Sequence, residues 1–534
     1  MGIFISVPKT IECAVIAVLL ATAMLLSSAK LLGILQSCTY SNRKLSEWMR
    51  KKYNLTLGRH LLLALCCGLS SAVLALVFSF AGQWASIISL AAFAIFFVLY
   101  INADTKLSLR SPATLTPRFM RLMAAVWLVN AILAYLAVTL LNFADHLWGN
   151  ALFSDLKYVA LAVFPLLIAP IVCLSNLVIK IYEVPRNAKY VKDAAKKLAA
   201  AHPIVVGITG SYGKTSTKII LSRMLAKKYS VLSTPRSHNT PLGISKTIND
   251  CPDLSACDVF IAEMGARHVG DIAALCKLCP PDYSIITGIC PQHLESFGSI
   301  ENIVKGKGEI LQSTKNCAFI AADCFERYAG SPCKIVACDC VGNVRPDCDG
   351  TTFTLTLGDR TADVRTRLLG AHAAYNIGLC AQCASAMGVS FEDICAAIAE
   401  LDYIEHRLQL IKSNGVNIID DGFNANIVGA AAALEVLKSF GGKKTVVTPG
   451  LVELGILDHE ENAALGAKLV GFDRVILVGD TLVGYIREGY LGAGGDPEKL
   501  TVVPTLFKAE ELLSGNLKKG DAVLFLNDLP DIYK

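Results

Sequence analysis

Five stretches in the first third of this chain are long and apolar enough to cross a bilayer, which takes roughly 20 residues at a rise of about 1.5 Å each. They run over 11–35, 61–83, 84–101, 122–143 and 158–179, the second and third nearly continuous. The chain is therefore neither purely soluble nor disordered, and 53% of its residues are hydrophobic against 18% charged. Pro165 and Pro170 are expected to kink the fifth stretch.

Charge follows the same division. Residues 1–180 carry fourteen Lys and Arg against five Asp and Glu, whereas the remainder carries 36 against 40. The basic excess thus belongs to the apolar part and reads as membrane topology, not as nucleic-acid binding. Arg43, Lys44, Arg50, Lys51, Lys52 and Arg59 follow the first stretch. Lys106, Arg110 and Arg118 precede the fourth, and Lys180, Arg186, Lys189 and Lys192 follow the fifth. With five spans all three basic segments fall on the cytoplasmic side, the N-terminus lies outside and the large C-terminal region is cytoplasmic. The expected location is the cytoplasmic membrane, multi-pass. Nineteen cysteines without a paired framework suit a reducing compartment.

From about residue 184 the pattern changes. A short Lys-rich helix over 191–201 is expected, then a buried-strand run, Pro203–Thr209. Further strand-like runs at 259–262, 283–287, 318–322, 417–419, 444–447 and 474–478 alternate with helical stretches. Such alternation argues for parallel sheets with crossover helices. Residues 351–357 and 361–367 flank the turn Gly358-Asp359 and read as a hairpin at the antiparallel edge of the first α/β domain. A second α/β domain starts near His406.

The first polar strand runs into Gly210-Ser211-Tyr212-Gly213-Lys214-Thr215-Ser216, with a helix expected over 218–228. This is the context of a phosphate loop. Glycines let backbone N–H groups converge on phosphates, and a helix N-terminus adds positive potential. Lys214 would neutralise the β- and γ-phosphates and Thr215 would hold Mg²⁺.

That loop and the segments after it resemble the Mur ligase family, most closely its D-alanyl-D-alanine-adding branch. The pieces, in order, are His238–Gly243, Ala262-Glu263-Met264, His293–Gly298 with Lys305 and Lys307, Gly370–Asn376, His406-Arg407 and Asp420–Asn426. The expected fold class is a five-helix transmembrane bundle, read from hydropathy, followed by what the resemblance over about residues 200–460 implies: a P-loop Mur ligase central domain and a C-terminal Rossmann-like α/β domain. The corresponding boundaries are 1–180, 181–405 and 406–534.

The resemblance also implies an activity and roles. A ligase of this family uses ATP to phosphorylate a substrate carboxylate, and an amine then displaces phosphate to make an amide. The implied partners are a muropeptide, small or lipid-linked, and an amino-acid or dipeptide acceptor. Gly210, Ser211, Tyr212, Gly213, Lys214, Thr215 and Ser216 would hold the triphosphate. Glu263 and Thr215 would ligate one Mg²⁺, and His293 and a carbamylated Lys307 a second. Lys305 is the competing lysine; on a helix it points about 200° away from Lys307. Asn376 would contact the base, Arg407 the phosphates, and Asp421 would face the closed cleft. Three departures stand out: Ala373 replaces a common Asn, Ile427 replaces the Pro after Asn426, and apolar spans occupy the place of the UDP-binding domain. The last raises the prospect of a lipid-linked acceptor. Glu453 and His459 are weak candidates for contact with the incoming amine and are expected to face solvent instead.

Two alternatives share parts of this pattern. A poly-amino-acid or folylpolyglutamate-type ligase shares the core, but the Asp420–Asn426 order disfavours it. A transport ATPase of the ABC class would need an LSGGQ-like signature and a strand ending in Asp-Glu, and this sequence has neither. The irregular spacing of Cys333, Cys338, Cys340 and Cys348 favours ordinary thiols over zinc.

Overall fold

A computed structural model describes residues 9–50, 113–148, 167–236, 238–423 and 425–527. The chain divides into two compact units, one up to Arg186 and one from Asn187 onward.

In the first unit, the described residues include three helices long and apolar enough to cross a membrane: Cys13–Ser37, Pro117–Leu140 and Ile168–Ala201. They coincide with the first, fourth and fifth apolar stretches. The second and third stretches, and positions 158–166 of the fifth, lie outside the described residues. The helices Lys9–Ser37 and Pro117–Trp148 pack through Ala17, Leu20, Met24, Ala134 and Val138. Their opposite faces leave Leu19, Leu26, Leu136 and Leu140 exposed, as a lipid-facing surface would. Glu183 is buried between Arg118, at 2.9 Å, and Arg121, at 2.8 Å.

The helix Ile168–Ala201 corrects one expectation: the Lys-rich stretch is the end of this one helix and not a separate element. Pro185 lies inside it.

Among its described residues the second unit holds three sheets. Strands β1 (Ile204–Thr209), β2 (Val231–Ser233), β3 (Val259–Glu263), β4 (Tyr283–Ile286), β5 (Cys317–Ile320) and β6 (Lys334–Ala337) form a parallel sheet in the order β2-β3-β1-β4-β5-β6. Alternate residues feed opposite cores. Val206, Ile208, Ile261 and Phe319 join one, and Val205, Phe260, Ala262 and Ile320 the other. That is why these runs are apolar throughout.

Strands β7 (Val341–Asp347), β8 (Gly350–Leu357) and β9 (Arg360–Thr366) make a separate three-stranded antiparallel sheet. The hairpin is present, but it is not an edge of the parallel sheet. Its apolar side, with Phe353, Leu355 and Val364, shares a core with Ile377, Leu379 and Ala381 of the helix Ala371–Ala386. Packing on that helix satisfies its apolar face without pairing to β6.

Strands β10 (Gln409–Ser413), β11 (Val416–Asp421), β12 (Lys444–Thr448), β13 (Arg474–Val478), β14 (Leu500–Val503) and β15 (Ala522–Leu526) form the third sheet. The order is β10-β11-β15-β12-β13-β14, parallel except for β10 against β11.

Candidate active site

The registers bring the functional segments together. Ile208 of β1 pairs with Glu263 of β3, so both strands end at one edge of the sheet, where parallel α/β sheets place ligands. The helix after β1 begins at Lys214, four residues earlier than the sequence suggested. Gly213 precedes it at φ 74°, a left-handed conformation that glycine adopts without a Cβ penalty. Gly210, at φ 146°, has no room for a side chain: a Cβ there would lie 2.1 Å from Thr287 Oγ1. Ser211 donates its N–H to the Gly288 carbonyl at 2.8 Å and its hydroxyl to the Cys290 carbonyl at 3.1 Å. The Tyr212 hydroxyl donates to Asp323 at 3.0 Å, and burial with that carboxylate pushes the phenol's pKa up. Lys214 curls over the loop and donates to the carbonyls of Gly210 (2.6 Å) and Ser211 (3.2 Å). Burial lowers its pKa, with Glu263 opposing.

Glu263, fully buried at the end of β3, is the hub. Its Oε2 accepts from Thr215 Oγ1 at 3.0 Å and from Lys218 Nζ at 2.9 Å; its Oε1 accepts from Asn239 Nδ2 at 3.2 Å. Lys218 escaped the sequence reading. The signal was there: it follows Lys214 by four residues and so lies on the same helical face. Asn239 sits close enough that a Cβ on Gly265 would be 2.8 Å from its side chain.

The helix Ile300–Gly308 buries Lys307 and exposes Lys305. Lys307 Nζ donates to the Ala266 carbonyl at 3.3 Å. Burial, reinforced by the Lys214 charge, holds its pKa well below the ordinary lysine value. His293 adopts φ 57°, and its Nδ1 is hydrogen-bonded to Glu453 Oε2. Burial lowers its pKa, Glu453 opposes, and Arg267 and Lys214 lower it further. Glu263, His293 and Lys307 each thus lie within electrostatic reach of Lys214.

A cleft of about 760 Å³, including its open mouth, adjoins this cluster and is lined by Tyr212, Gly213, Ser216, His372, Asn376, Arg407 and Asp421 among others. Asn376 reaches the loop: a Cβ on Gly213 would be 3.0 Å from its Oδ1. Arg407 donates to the Phe423 carbonyl at 2.5 Å and stacks on the Phe423 ring at 4.8 Å. Burial lowers its pKa, against Asp421 and Glu263. Asp421 is pushed up to about 6 by burial, with Arg407 pulling the other way. Asn426 caps the helix Ile427–Lys438, accepting from the N–H groups of Val428 and Gly429, so Ile427 starts a helix where a proline was expected. Asn424 lies outside the described residues. Glu453 does not point to open solvent as expected but pairs with His293 and Arg267; His459 pairs with exposed Glu488.

Glu263 and Thr215 offer hard oxygen donors beside the phosphate loop and fit a Mg²⁺. Lys307 fits a second cation only after it loses its proton and becomes a carbamate. Among the described residues no three His, Cys, Asp or Glu side chains converge as a metal centre, and every cysteine is a free thiol.

Fold and site together define a P-loop nucleotide-binding domain followed by a second α/β domain that shares its cleft. Residues 208–384 match the Mur ligase middle domain, and residues 406–527 match the Mur ligase glutamate ligase domain. The UDP-N-acetylmuramoyl-tripeptide–D-alanyl-D-alanine ligase of Mycobacterium tuberculosis H37Rv is 30% identical over 374 residues, covering 63% of this chain and 72% of that protein. The Bacillus subtilis enzyme of the same name is 28% identical, over 60% and 72%. Among solved structures, MurF of Thermotoga maritima in complex with ADP aligns with TM-score 0.58 at 27% identity, covering 65% of this chain and 81% of that one. MurF of Acinetobacter baumannii aligns with TM-score 0.58 at 25% identity, over 64% and 77%. This chain belongs to the Mur ligase family. Its class is that of an ATP-dependent ligase, and its relatives are of the MurF type.

Proposed function

We propose that this protein is a membrane-anchored, ATP-dependent amide ligase of peptidoglycan-precursor synthesis, working through an acyl phosphate. The observation that carries the reading is the buried pair of Glu263 and Lys218, hydrogen-bonded to Thr215 beside Lys214, with a second buried lysine, Lys307, lying within electrostatic reach of Lys214. The domains are assigned as 1–180, 181–405 and 406–534.

In the first step a carboxylate oxygen attacks the γ-phosphorus of ATP, and ADP leaves. In the second an amine nitrogen attacks the acyl carbon, inorganic phosphate leaves, and the amine gives up a proton. Gly210 to Ser216 cradle the triphosphate through backbone N–H groups. Lys214 swings from its carbonyl contacts to the β- and γ-phosphates. Asn376 meets the base and Arg407 the phosphates, while Asp421 faces the acceptor side of the cleft. Glu263 and Thr215 would hold Mg²⁺, and His293 with a carbamylated Lys307 would hold a second ion. Bound there, the cations neutralise charge building on the transferred phosphoryl group. Burial lowers the pKa of Lys307 and so favours the neutral amine, the form that can add CO₂.

The three apolar helices support anchoring, and the Arg118–Glu183–Arg121 cluster ties the start of the helix Pro117–Trp148 to the helix Ile168–Ala201 on the side expected to be cytoplasmic. They also favour a second reading, in which the muropeptide is lipid-linked. The full-length chain in nanodiscs is given ATP, UDP-linked or lipid-linked muropeptide, and candidate amines; mass gain and ADP are scored. Acceptor-dependent ADP release supports the ligase, and ATP turnover without acceptor sinks it. Equal activity on the soluble substrate removes the lipid reading.

A further inference from the structure

Glu453 lies in the segment after β12, among residues of the C-terminal sheet, yet both of its identified partners come from the central domain. Its Oε2 meets His293 Nδ1, and its Oε1 lies 3.1 Å from Arg267 Nη2. Both halves of the contact are fixed by backbone. His293 and Glu453 hold left-handed conformations, φ 57° and 63°, which non-glycine residues adopt only when their surroundings enforce them. Two residues on, Gly455 (φ 64°) packs against the main chain of Glu295: a Cβ there would be 3.3 Å from that residue's N and Cα. Leu457 then packs on the central-domain core that includes Leu294, Phe297 and Ile303. The segment 453–457 is therefore seated on the segment that carries His293.

We propose that Glu453 is a positioning residue that couples seating of the C-terminal domain to cation binding at His293. A carboxylate accepting from Nδ1–H fixes the imidazole in one tautomer and leaves Nε2 with its lone pair, the form that ligates a metal. Arg267 holds the second carboxylate oxygen and so sets the angle from which the first meets the ring. When the 453–457 segment is withdrawn, the ring loses this partner and is free to turn. Cation affinity and seating are then linked, and linkage is reciprocal: a cation at His293 tightens the seat by the same factor as the seat tightens the cation. The inference rests on the ligase reading for placing a cation at His293.

The test uses the full-length protein in nanodiscs, with Mn²⁺ as the probe and a non-hydrolysable ATP analogue present. Mn²⁺ affinity is read by electron paramagnetic resonance, and seating by hydrogen exchange at 293–297 and 451–457. Glu453→Leu is expected to weaken Mn²⁺ binding about 10–100-fold and to abolish Mn²⁺-induced protection of both segments. It should lower kcat while the KM for ATP stays within about twofold. Glu453→Gln, whose side-chain oxygen still accepts from Nδ1–H, should recover most of the Mn²⁺ affinity. Unchanged Mn²⁺ affinity in Glu453→Leu overturns the proposal. Equal loss in the Leu and Gln variants also overturns it, because a fold-supporting role would give that pattern. Acceptor-dependent ADP release by the wild type is scored separately, so failure of the ligase reading shows there and not in the Mn²⁺ comparison.

Discussion

The Lys218 ammonium lies 2.9 Å from the Glu263 carboxylate, and neither side chain is more than 3% exposed. Thr215 and Asn239 complete the coordination of that carboxylate, so the strand end presents an anion already oriented toward the phosphate loop. Breaking a buried pair by removing one partner strands the other charge away from water. Lys218→Met should therefore cost about 3–5 kcal/mol of stability, read as a lower urea midpoint. The double variant Lys218→Met/Glu263→Leu should be more stable than Lys218→Met alone. A single variant as stable as wild type would show that the pair does not hold the strand end.

Gly210 is expected to be irreplaceable for a steric reason. Alanine would bring a methyl 2.1 Å from Thr287 Oγ1 at a backbone φ of 146°. Gly210→Ala should weaken ATP binding about ten- to a hundredfold, equivalent to roughly 1–3 kcal/mol of strain. Gly330→Ala, where nothing lies within 4 Å, is the control and should leave ATP affinity unchanged in the same calorimetric titration.

Two titrations in the cleft oppose each other. Burial holds His372 down to about 4, so between pH 4 and about 6.5 the unfolded chain binds a proton that the folded one does not. Stability from this residue falls as pH drops through that window. Asp421 is raised to about 6, so the folded chain binds the extra proton between about 3.9 and 6, and stability falls as pH rises there. Each effect is of order 3 kcal/mol at most. Wild-type stability should thus be nearly flat from pH 4 to 6. Asp421→Asn should make it climb with pH, and His372→Gln should make it decline, in urea midpoints measured across that range.

Lys307 is buried, and burial reinforced by the Lys214 charge holds its pKa well below the ordinary lysine value. Lys307→Met should reduce acceptor-dependent ADP release by about 10²–10³, the usual loss when one preorganised electrostatic partner is removed. Short carboxylates should restore part of the rate, since they supply the oxygens a carbamate would. A variant that keeps full activity without added carboxylate would remove Lys307 from the mechanism.

Much of this was readable in one dimension because the physics involved is local. A phosphate loop needs glycines, a lysine and a hydroxyl in consecutive positions, so Gly210 to Ser216 declare themselves. Strands buried on both faces are apolar throughout, so β1, β3, β4 and β13 stand out as runs. The 100° turn per residue of a helix meant that only one of Lys305 and Lys307 could face the site; the resemblance to the family picked Lys307, and the structure buries it and exposes Lys305. The short edge strands β2, β10 and β14 lack such runs, because an edge is only partly covered.

The sequence by itself determined the apolar first third, the alternating architecture and the identity of the loop, since hydropathy period and turn chemistry act between near neighbours. Only the tertiary structure decided that Lys218 neutralises Glu263 across 45 residues, that Glu453 reaches His293 across 160, and that the 341–366 strands form their own sheet. Those pairings depend on which surfaces meet when strands take their order and domains pack. A polar side chain carries no local mark of the partner that will share its burial.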